Sequence, residues 1–347
     1  MKDTNTRIAS IGIDLGDTDA YYAMLNEAGV FAEEGRVAMT PAGIRKTFAT
    51  LPPTRIALEA GAQSRWIAKL LGEFGHDVIV ANPRQVQLIT ANQSKNDVND
   101  ARLLARLARV DPSLLSPLTH REETEQAALL AIRARAQLVK ARVALMHSLR
   151  GMVKGFGVRL PHATSDCFLE RCRTAVPATL LVHLDGLFTT IANLTGQIEA
   201  YDEQIEQLAR EAYPATQLLR QVPGVGTLTA LTYVLTIGRA ERFQKSRQAG
   251  AYLGLRPRQQ QSGGQDPQLG ITKAGDGYLR KLLVQSAHCV LHATAKDSAL
   301  RQWGKRLCER GGKNAKKRAI VAVARKLAVL LHKLWASGEE YRPFPAR

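Results

Sequence analysis

Aromatic residues are scarce: Phe, Trp and Tyr together make up 5% of a 347-residue chain. That argues against a module that holds nucleic acid by stacking bases on rings. Cysteine is scarce too. Cys167, Cys172, Cys289 and Cys308 show no CxxC or Cys/His spacing, so neither a zinc site nor a disulfide framework is expected. They read as free thiols of a reducing cytosol. No stretch reaches the roughly 18 apolar residues of a membrane span. The N-terminal MKDTNTRIAS has no hydrophobic signal region, and no low-complexity tract or short tandem repeat is present. Acidic residues are in deficit, 31 against 48 Lys and Arg, which leaves a formal charge of +17 and a pI of about 10.0. A surplus of that size speaks of partners rather than fold. Nucleic acid, contacted through phosphate, leads. The expected setting is cytoplasmic and nucleoid-associated, away from membranes.

Length allows two or three domains, and 45% hydrophobic residues suffice for a core. The first part reads as α/β. IASIGID (8–14) is a strand ending in an acid. AYYAMLN and GVFAEEGRVAM continue as strands with NEAG between them. RIALEA (55–60) is another strand with an acid, Glu59, near its end. SRWIAKLLGEFG is an amphipathic helix that stops at glycine. HDVIVANP is a strand stopped by proline. SKNDVNDARLLARLARV (94–110) is helical. These elements define an expected domain over 1–115.

The middle, 116–214, is all-helical. Leu184, Leu187, Ile191, Leu194, Ile198, Tyr201, Ile205 and Leu208 form a coiled-coil seam. Leu129, Ile132, Ala136, Val139, Val143 and Met146 repeat that spacing upstream. The two helices can pair within the chain or between chains. From 215 to 347 a helical domain follows. Its QVPGVG turn between two helices matches a helix-hairpin-helix signature, in which Gly224 and Gly226 let the backbone approach a phosphate. A polar loop (RPRQQQSGGQDPQLG) and further helices come next. Ile320, Val323, Ala324, Leu327 and Leu331 form the buried stripe of the last helix, flanked by cations that include Lys316 and Lys317.

Four acids carry the chemistry. Asp14 and Glu59 close two strands, while Asp97 and Asp100 sit three apart on one helical face. The order resembles a ribonuclease-H or RuvC-like core, in which the first and fourth strands are neighbours. Two carboxylates about 4 Å apart repel by roughly 4 kcal/mol at an effective dielectric of 20, so such a cluster calls for a cation. Mg²⁺, or Mn²⁺ in its place, suits carboxylates, water and phosphate oxygens, and paired metals serve phosphoryl transfer. Taken singly, each acid is an ordinary solvated residue, and Asp97 could cap its helix.

Ser262, in QQQSGGQD, reads locally as a turn residue. Arg256 and Arg258 before it, with Lys273, Arg280 and Lys281 after it, would neutralise a phosphate there. A hydroxyl becomes a nucleophile only when a base, a metal or an electropositive site activates it.

The motifs IGIDLG, ALEAG, KNDVNDAR, QVPGVGTLTA, YLGLRPR, SGG and ITKAGDGYLRKLL occur in this order over about residues 8–340. In that order the chain resembles transposases of the insertion-sequence-110 family, closest to its 1111 subgroup. The resemblance implies an RuvC-like domain with its acid set at Asp14, Glu59, Asp97 and Asp100. It implies a serine nucleophile at Ser262 that forms a covalent phosphoserine link, with Mg²⁺ assisting. It implies donor and target DNA as partners, an element-encoded guide RNA that pairs with both, and a composite site in a dimer or tetramer. Gln265 and Asp17 stand where the subgroup commonly has basic residues. The alternative reading is a RuvC-type nuclease or junction resolvase that acts by hydrolysis.

Overall fold

The computed structural model describes residues 7–84, 86, 96–261, 264, 267 and 269–344. Two compact units divide the chain, Met1–His120 and Arg121–Arg347.

The first unit is built on five strands: β1 (Ile8–Leu15), β2 (Asp19–Asn26), β3 (Phe31–Ala38), β4 (Arg55–Glu59) and β5 (Asp77–Ala81). Their order in the sheet is β3-β2-β1-β4-β5. The first three strands form an antiparallel meander. β4 lies parallel to β1, and β5 parallel to β4. The first and fourth strands are therefore neighbours, as their acid-terminated sequences suggest.

Helices cover both faces. α1 (Pro41–Phe48) and α2 (Ser64–Glu73) bury Ile44, Phe48, Ile67 and Leu71 against Ile11, Ile13, Ile56 and Leu58. α3 (Asp97–Val110) packs Leu104, Leu107 and Ala108 with Ala57, Ile79 and Ala81. Strand alternation sorts these two sets, because successive side chains leave a strand on opposite faces. α1 is a helix that the strand-rich reading of the segment omits. Its start is nonetheless written locally: Thr40 accepts from the Gly43 N–H, and proline stands at the head of the helix, both helix-initiating devices.

The second unit is helical. α4 (Glu123–Lys154) and α6 (Ala178–Glu211) run antiparallel, with the short α5 (Phe168–Arg173) between them in sequence. Ala128, Leu129 and Ile132 meet Ile205 and Ala209 at one end. Met146, Leu149 and Val153 meet Phe188 and Ile191 at the other. The two seams thus pair with each other inside the chain. Arg135 forks onto the Asp202 carboxylate at 2.6 and 2.8 Å, and Arg142 donates to Thr195 Oγ1 at 3.2 Å. These polar contacts lock the register of the two helices.

α7 (Ala215–Arg220), α8 (Thr227–Ile237), α9 (Arg247–Tyr252), α10 (Gly277–Leu291), α11 (Ala299–Glu309) and α12 (Ala315–Ser337) complete the unit. α8 is buried on all sides. It shares one cluster with α4 and α6 through Leu231 and Leu235. It shares another with α10 and α12 through Tyr233 and Val234. The α12 stripe faces this core as expected, with Val323, Ala324, Leu327 and Leu331 fully buried. Among the described residues no helix is long and apolar enough to cross a membrane.

α3 lies so close to β1 that Gly12 has no room for a side chain. A Cβ there would sit 2.0 Å from the Ala101 carbonyl oxygen and 2.5 Å from the Ala105 nitrogen. Gly12→Ala is expected to destabilise the first unit by about 3 kcal/mol, the upper range for overpacking. Gly61→Ala, where a Cβ meets nothing within 4 Å, is expected to stay within about 0.5 kcal/mol. Thermal unfolding of the two variants checks the difference.

Candidate active site

The acid set is placed by the sheet and by one helix. β1 and β4 are in register from Ser10↔Arg55 to Ile13↔Leu58. Asp14 and Glu59 follow one residue on, at the carboxyl ends of adjacent parallel strands. Alternation puts both on the face that carries Ser10, Gly12 and Ala57, which is the α3 face. α3 runs antiparallel to β1 across that face. Ser10 Oγ donates to the Ala105 carbonyl at 2.8 Å, and Gly12 abuts Ala101. The first turn of α3, with Asp97 and Asp100, therefore lies toward the Asp14 end of β1. All four acids are brought to one corner of the first unit.

Three contacts hold that corner. Glu34 of β3 takes a two-point grip on Arg102 of α3, at 2.5 and 2.7 Å. The Arg102 hydrogen bond keeps the Glu34 carboxyl below its usual range. The guanidinium also lies over the Phe31 ring. Gln63, in the loop after β4, donates to the Asp17 and Gly16 carbonyls at 2.8 and 3.3 Å, which ties together the loops that follow Asp14 and Glu59. Asn96, not Asp97, caps α3: its side chain accepts from the Asn99 N–H at 2.8 Å. Asp97 and Asp100 are left in the first turn, where the helix dipole favours negative charge. Asp97 is exposed; Asp14, Glu59 and Asp100 are half-buried.

The corner is not closed into a chelate. Among the described residues, no three His, Cys, Asp or Glu side chains gather tightly enough to hold a metal ion. The donor set is nevertheless all carboxylate oxygen, the chemistry that suits Mg²⁺. The backbone supplies the convergence.

In the second unit, Ser262 lies outside the described residues, as does Gln265. The base of its loop is a short antiparallel pairing. Pro257 and Ile271 form an antiparallel bridge. The Arg258 N–H donates to the Gly270 carbonyl, and the Thr272 N–H to the Arg256 carbonyl, each at 2.9 Å. Two glycines interlock beneath it. A Cβ on Gly254 would lie 2.2 Å from the Ala274 nitrogen, and one on Gly275 would lie 2.3 Å from the Tyr252 carbonyl oxygen, both at positive φ. These glycines belong to YLGLRPR and ITKAGDG, so the two motifs meet as a crossing of backbones.

The expected phosphate contacts fall into two groups. Arg258, Lys273, Lys281, Lys316 and Lys317 are exposed. Lys316 and Lys317 stand in the first turn of α12, which has no acid; the dipole disfavours cations there, so their placement costs stability that an anion would recover. Arg280 is structural as well as cationic, donating to the Leu253 and Ala274 carbonyls at 3.0 and 2.8 Å. Arg256 is exposed and donates to Gln259 Oε1.

The PGVG turn joins α7 to α8. Gly224, at φ +85, is turned toward α10, where a Cβ would stand 2.8 Å from the Ser286 carbonyl oxygen. Gly226 is the N-cap of α8 and borders open space. Beside it Thr227 Oγ1 and Arg220 Nη1 donate to Glu206, at 2.5 and 2.6 Å. The Thr227 hydrogen bond, with Arg220 behind it, holds the Glu206 carboxyl below its usual range. An internal carboxylate therefore already stands at that helix start.

Comparison with known proteins decides what this arrangement belongs to. The IS110-type DEDD transposase family model matches residues 11–157. The model described as Transposase IS116/IS110/IS902 family matches residues 216–302. The chain is 32% identical to the transposase for insertion sequence element IS1111A of Coxiella burnetii, across 99% of this chain and 92% of that one. It belongs to the IS110 family of transposases. The transposase for element IS1328 of Yersinia enterocolitica is 30% identical across 85% of this chain and 88% of its own. A pilin gene-inverting protein of Moraxella bovis is 28% identical across 78% and 76%. This transposase is a DNA-processing enzyme, and DNA recombination is the work of its family.

Ser10, Gly12, Asn96 and Gln63, which position the acids, and Gly254 and Gly275, which seat the serine loop, do not stand out in the local sequence. For Gly12, Asn96, Gly254 and Gly275 the one available signal was their place inside the motifs IGID, KNDVNDAR, YLGLRPR and ITKAGDG; Ser10 and Gln63 lie outside those motifs. Gly254→Ala is expected to cost about 3 kcal/mol, from overpacking and a left-handed backbone together. It should also raise proteolytic cleavage between 256 and 272. Gly270→Ala, where a Cβ meets nothing within 4 Å among the described residues, should match the parent in both measurements.

Proposed function

We propose that this transposase cuts and rejoins DNA by phosphoryl transfer to Ser262, assisted by Mg²⁺ held at Asp14, Glu59, Asp97 and Asp100, under the direction of an RNA encoded by its element. The observation that carries the reading is the convergence of four acids at the carboxyl ends of β1 and β4 and the first turn of α3. An RuvC-like description of the first unit accords with the β3-β2-β1-β4-β5 order. A helix-hairpin-helix description of α7–α8 accords with the PGVG turn.

In the covalent step, Ser262 Oγ gives up its proton and forms an ester bond to the scissile phosphorus. The bond from phosphorus to the departing deoxyribose oxygen breaks, and that oxygen takes up a proton. Rejoining reverses the exchange: a hydroxyl from another strand end attacks the phosphoserine and frees the serine. The number of phosphoester bonds is conserved, so strand exchange needs no outside energy source. Arg258, Lys273 and Lys281 would neutralise the phosphate as it approaches. Mg²⁺, or Mn²⁺, would supply Lewis-acid stabilisation of the phosphate oxygens. Pairing between a guide RNA and DNA would choose the sites, leaving the protein to read backbone and shape. A dimer or tetramer would bring the acid corner of one copy to the serine loop of another.

Trapping on a substrate with the element's ends should give a covalent protein–DNA adduct with the parent and none with Ser262→Ala. Full strand exchange by Ser262→Ala would sink the serine role, and cleavage by that variant as fast as by the parent, with no adduct and no rejoining in either, would favour hydrolysis by a RuvC-type nuclease. Asp14→Asn is expected to weaken Mn²⁺ binding and cleavage by about 100-fold, the upper range for changes around a metal's ligands. Titration calorimetry with Mn²⁺ alone reads the first effect without relying on turnover.

A further inference from the structure

The carboxyl end of α4 carries a cavity of about 810 Å³ that the acid corner and the serine loop do not use. Its charged walls are Arg150, Lys154 and Arg159, His147 stands beside them, and none of its lining residues is acidic. The residues come from two sources. His147, Arg150, Gly151 and Lys154 follow the 3,4 spacing of one helical face. Gly157, at φ +74, then reverses the chain, and Arg159 returns along that face.

The return segment is anchored. The Val158 N–H donates to the Val153 carbonyl at 3.2 Å. Val158 and Leu160 pack on the cluster of Leu149, Phe168 and Cys172. Arg150 is held by the fold: it donates to the Leu160 carbonyl at 3.1 Å and lies over the Phe168 ring at 5.2 Å. His147, Lys154 and Arg159 are exposed. Gly151 leaves the wall bare, since a Cβ there meets nothing within 4 Å.

We infer that this cavity binds the phosphodiester backbone of a nucleic acid strand. Like charges are gathered here around an open space without a balancing acid, an arrangement an anion relieves. The stripe from His147 to Lys154 rises about 10.5 Å along the helix axis. That is about three times the 3.4 Å axial step between phosphates of one strand, so it meets successive phosphates of a polymer. The cations contact backbone, which carries no sequence information. The inference rests on the family's action on DNA and on neither Ser262 nor a metal.

The test measures binding of the full-length protein to labelled duplex DNA and to single-stranded RNA of equal length, by fluorescence anisotropy over a salt series. Gly151→Glu puts a carboxylate on the cavity wall without crowding its neighbours. It is expected to weaken binding about tenfold near physiological salt. Lys154→Gln with Arg159→Gln should do likewise and flatten the log–log salt slope by about 1.8 on duplex DNA or about 1.4 on single strands. Gln137→Glu makes the same charge change about 21 Å away along α4 and should shift affinity less than twofold. Loss confined to RNA or to DNA identifies the strand that the cavity holds; loss on both identifies a shared backbone grip. Unchanged binding by the cavity variants, or an equal loss with Gln137→Glu, overturns the proposal. Thermal melting of each variant separates lost binding from lost fold. The catalytic reading fails by a different sign, an adduct that persists in Ser262→Ala, so the two can fall separately.

Discussion

The contact between the Gly12 Cα and the backbone of Ala101 is the constraint on which the first unit depends. A helix normally stands off a sheet by the thickness of two side-chain layers. Here one layer is missing: glycine on the strand faces alanine on the helix, and the Ser10 hydroxyl ties the Ala105 carbonyl to the strand. The approach draws the first turn of α3 down to the ends of β1 and β4. The same residue pattern that removes bulk from the middle of β1 thus delivers acids to its tip. Glu34 and Phe31 on β3, two places from β1 in the sheet, then fix the rotation of α3 through Arg102.

The second unit is organised by polar pairs inside an apolar seam. A long helix pair held only by Leu and Ile could slip by a heptad at small cost. Arg135 on Asp202 and Arg142 on Thr195 make a slip expensive, because it would strand a half-buried guanidinium. The price is visible at Arg142, whose Nε is buried with no hydrogen-bond partner among the described residues. α10 is tied to the same pair at its start, where Asp276 caps it and pairs with Arg133. The core of α8, α10 and α12 and the base of the serine loop are built out from there.

Much of this was legible in the sequence, and the limits have physical causes. The strands were readable because apolar residues alternate, and the pairing of β1 with β4 was readable because both end in acids of one motif order. α1 was not, since a short helix containing Gly43 carries little periodic signal. The seams at 129–146 and 184–208 announced helices but not partners, because a heptad pattern is satisfied equally by its own chain or another. The acids of the corner were readable; the residues that hold them were not, because Gly12 acts by what it lacks and Gln63 by bonding to backbone. Arg150 is one of several cations in the sequence of α4. That it walls a cavity depends on the return of 157–160, which periodicity does not encode. Ser262 rests on motif order alone.

One feature of the helix pair fixes a length. α8 joins α4 near Leu129, while the basic cavity opens near Lys154, twenty-five positions further along the same helix. At 1.5 Å per residue the two ends stand about 37 Å apart. A duplex touched at both ends must run for about eleven base pairs between the contacts, close to one full turn. It would then present the same groove to the protein at each end.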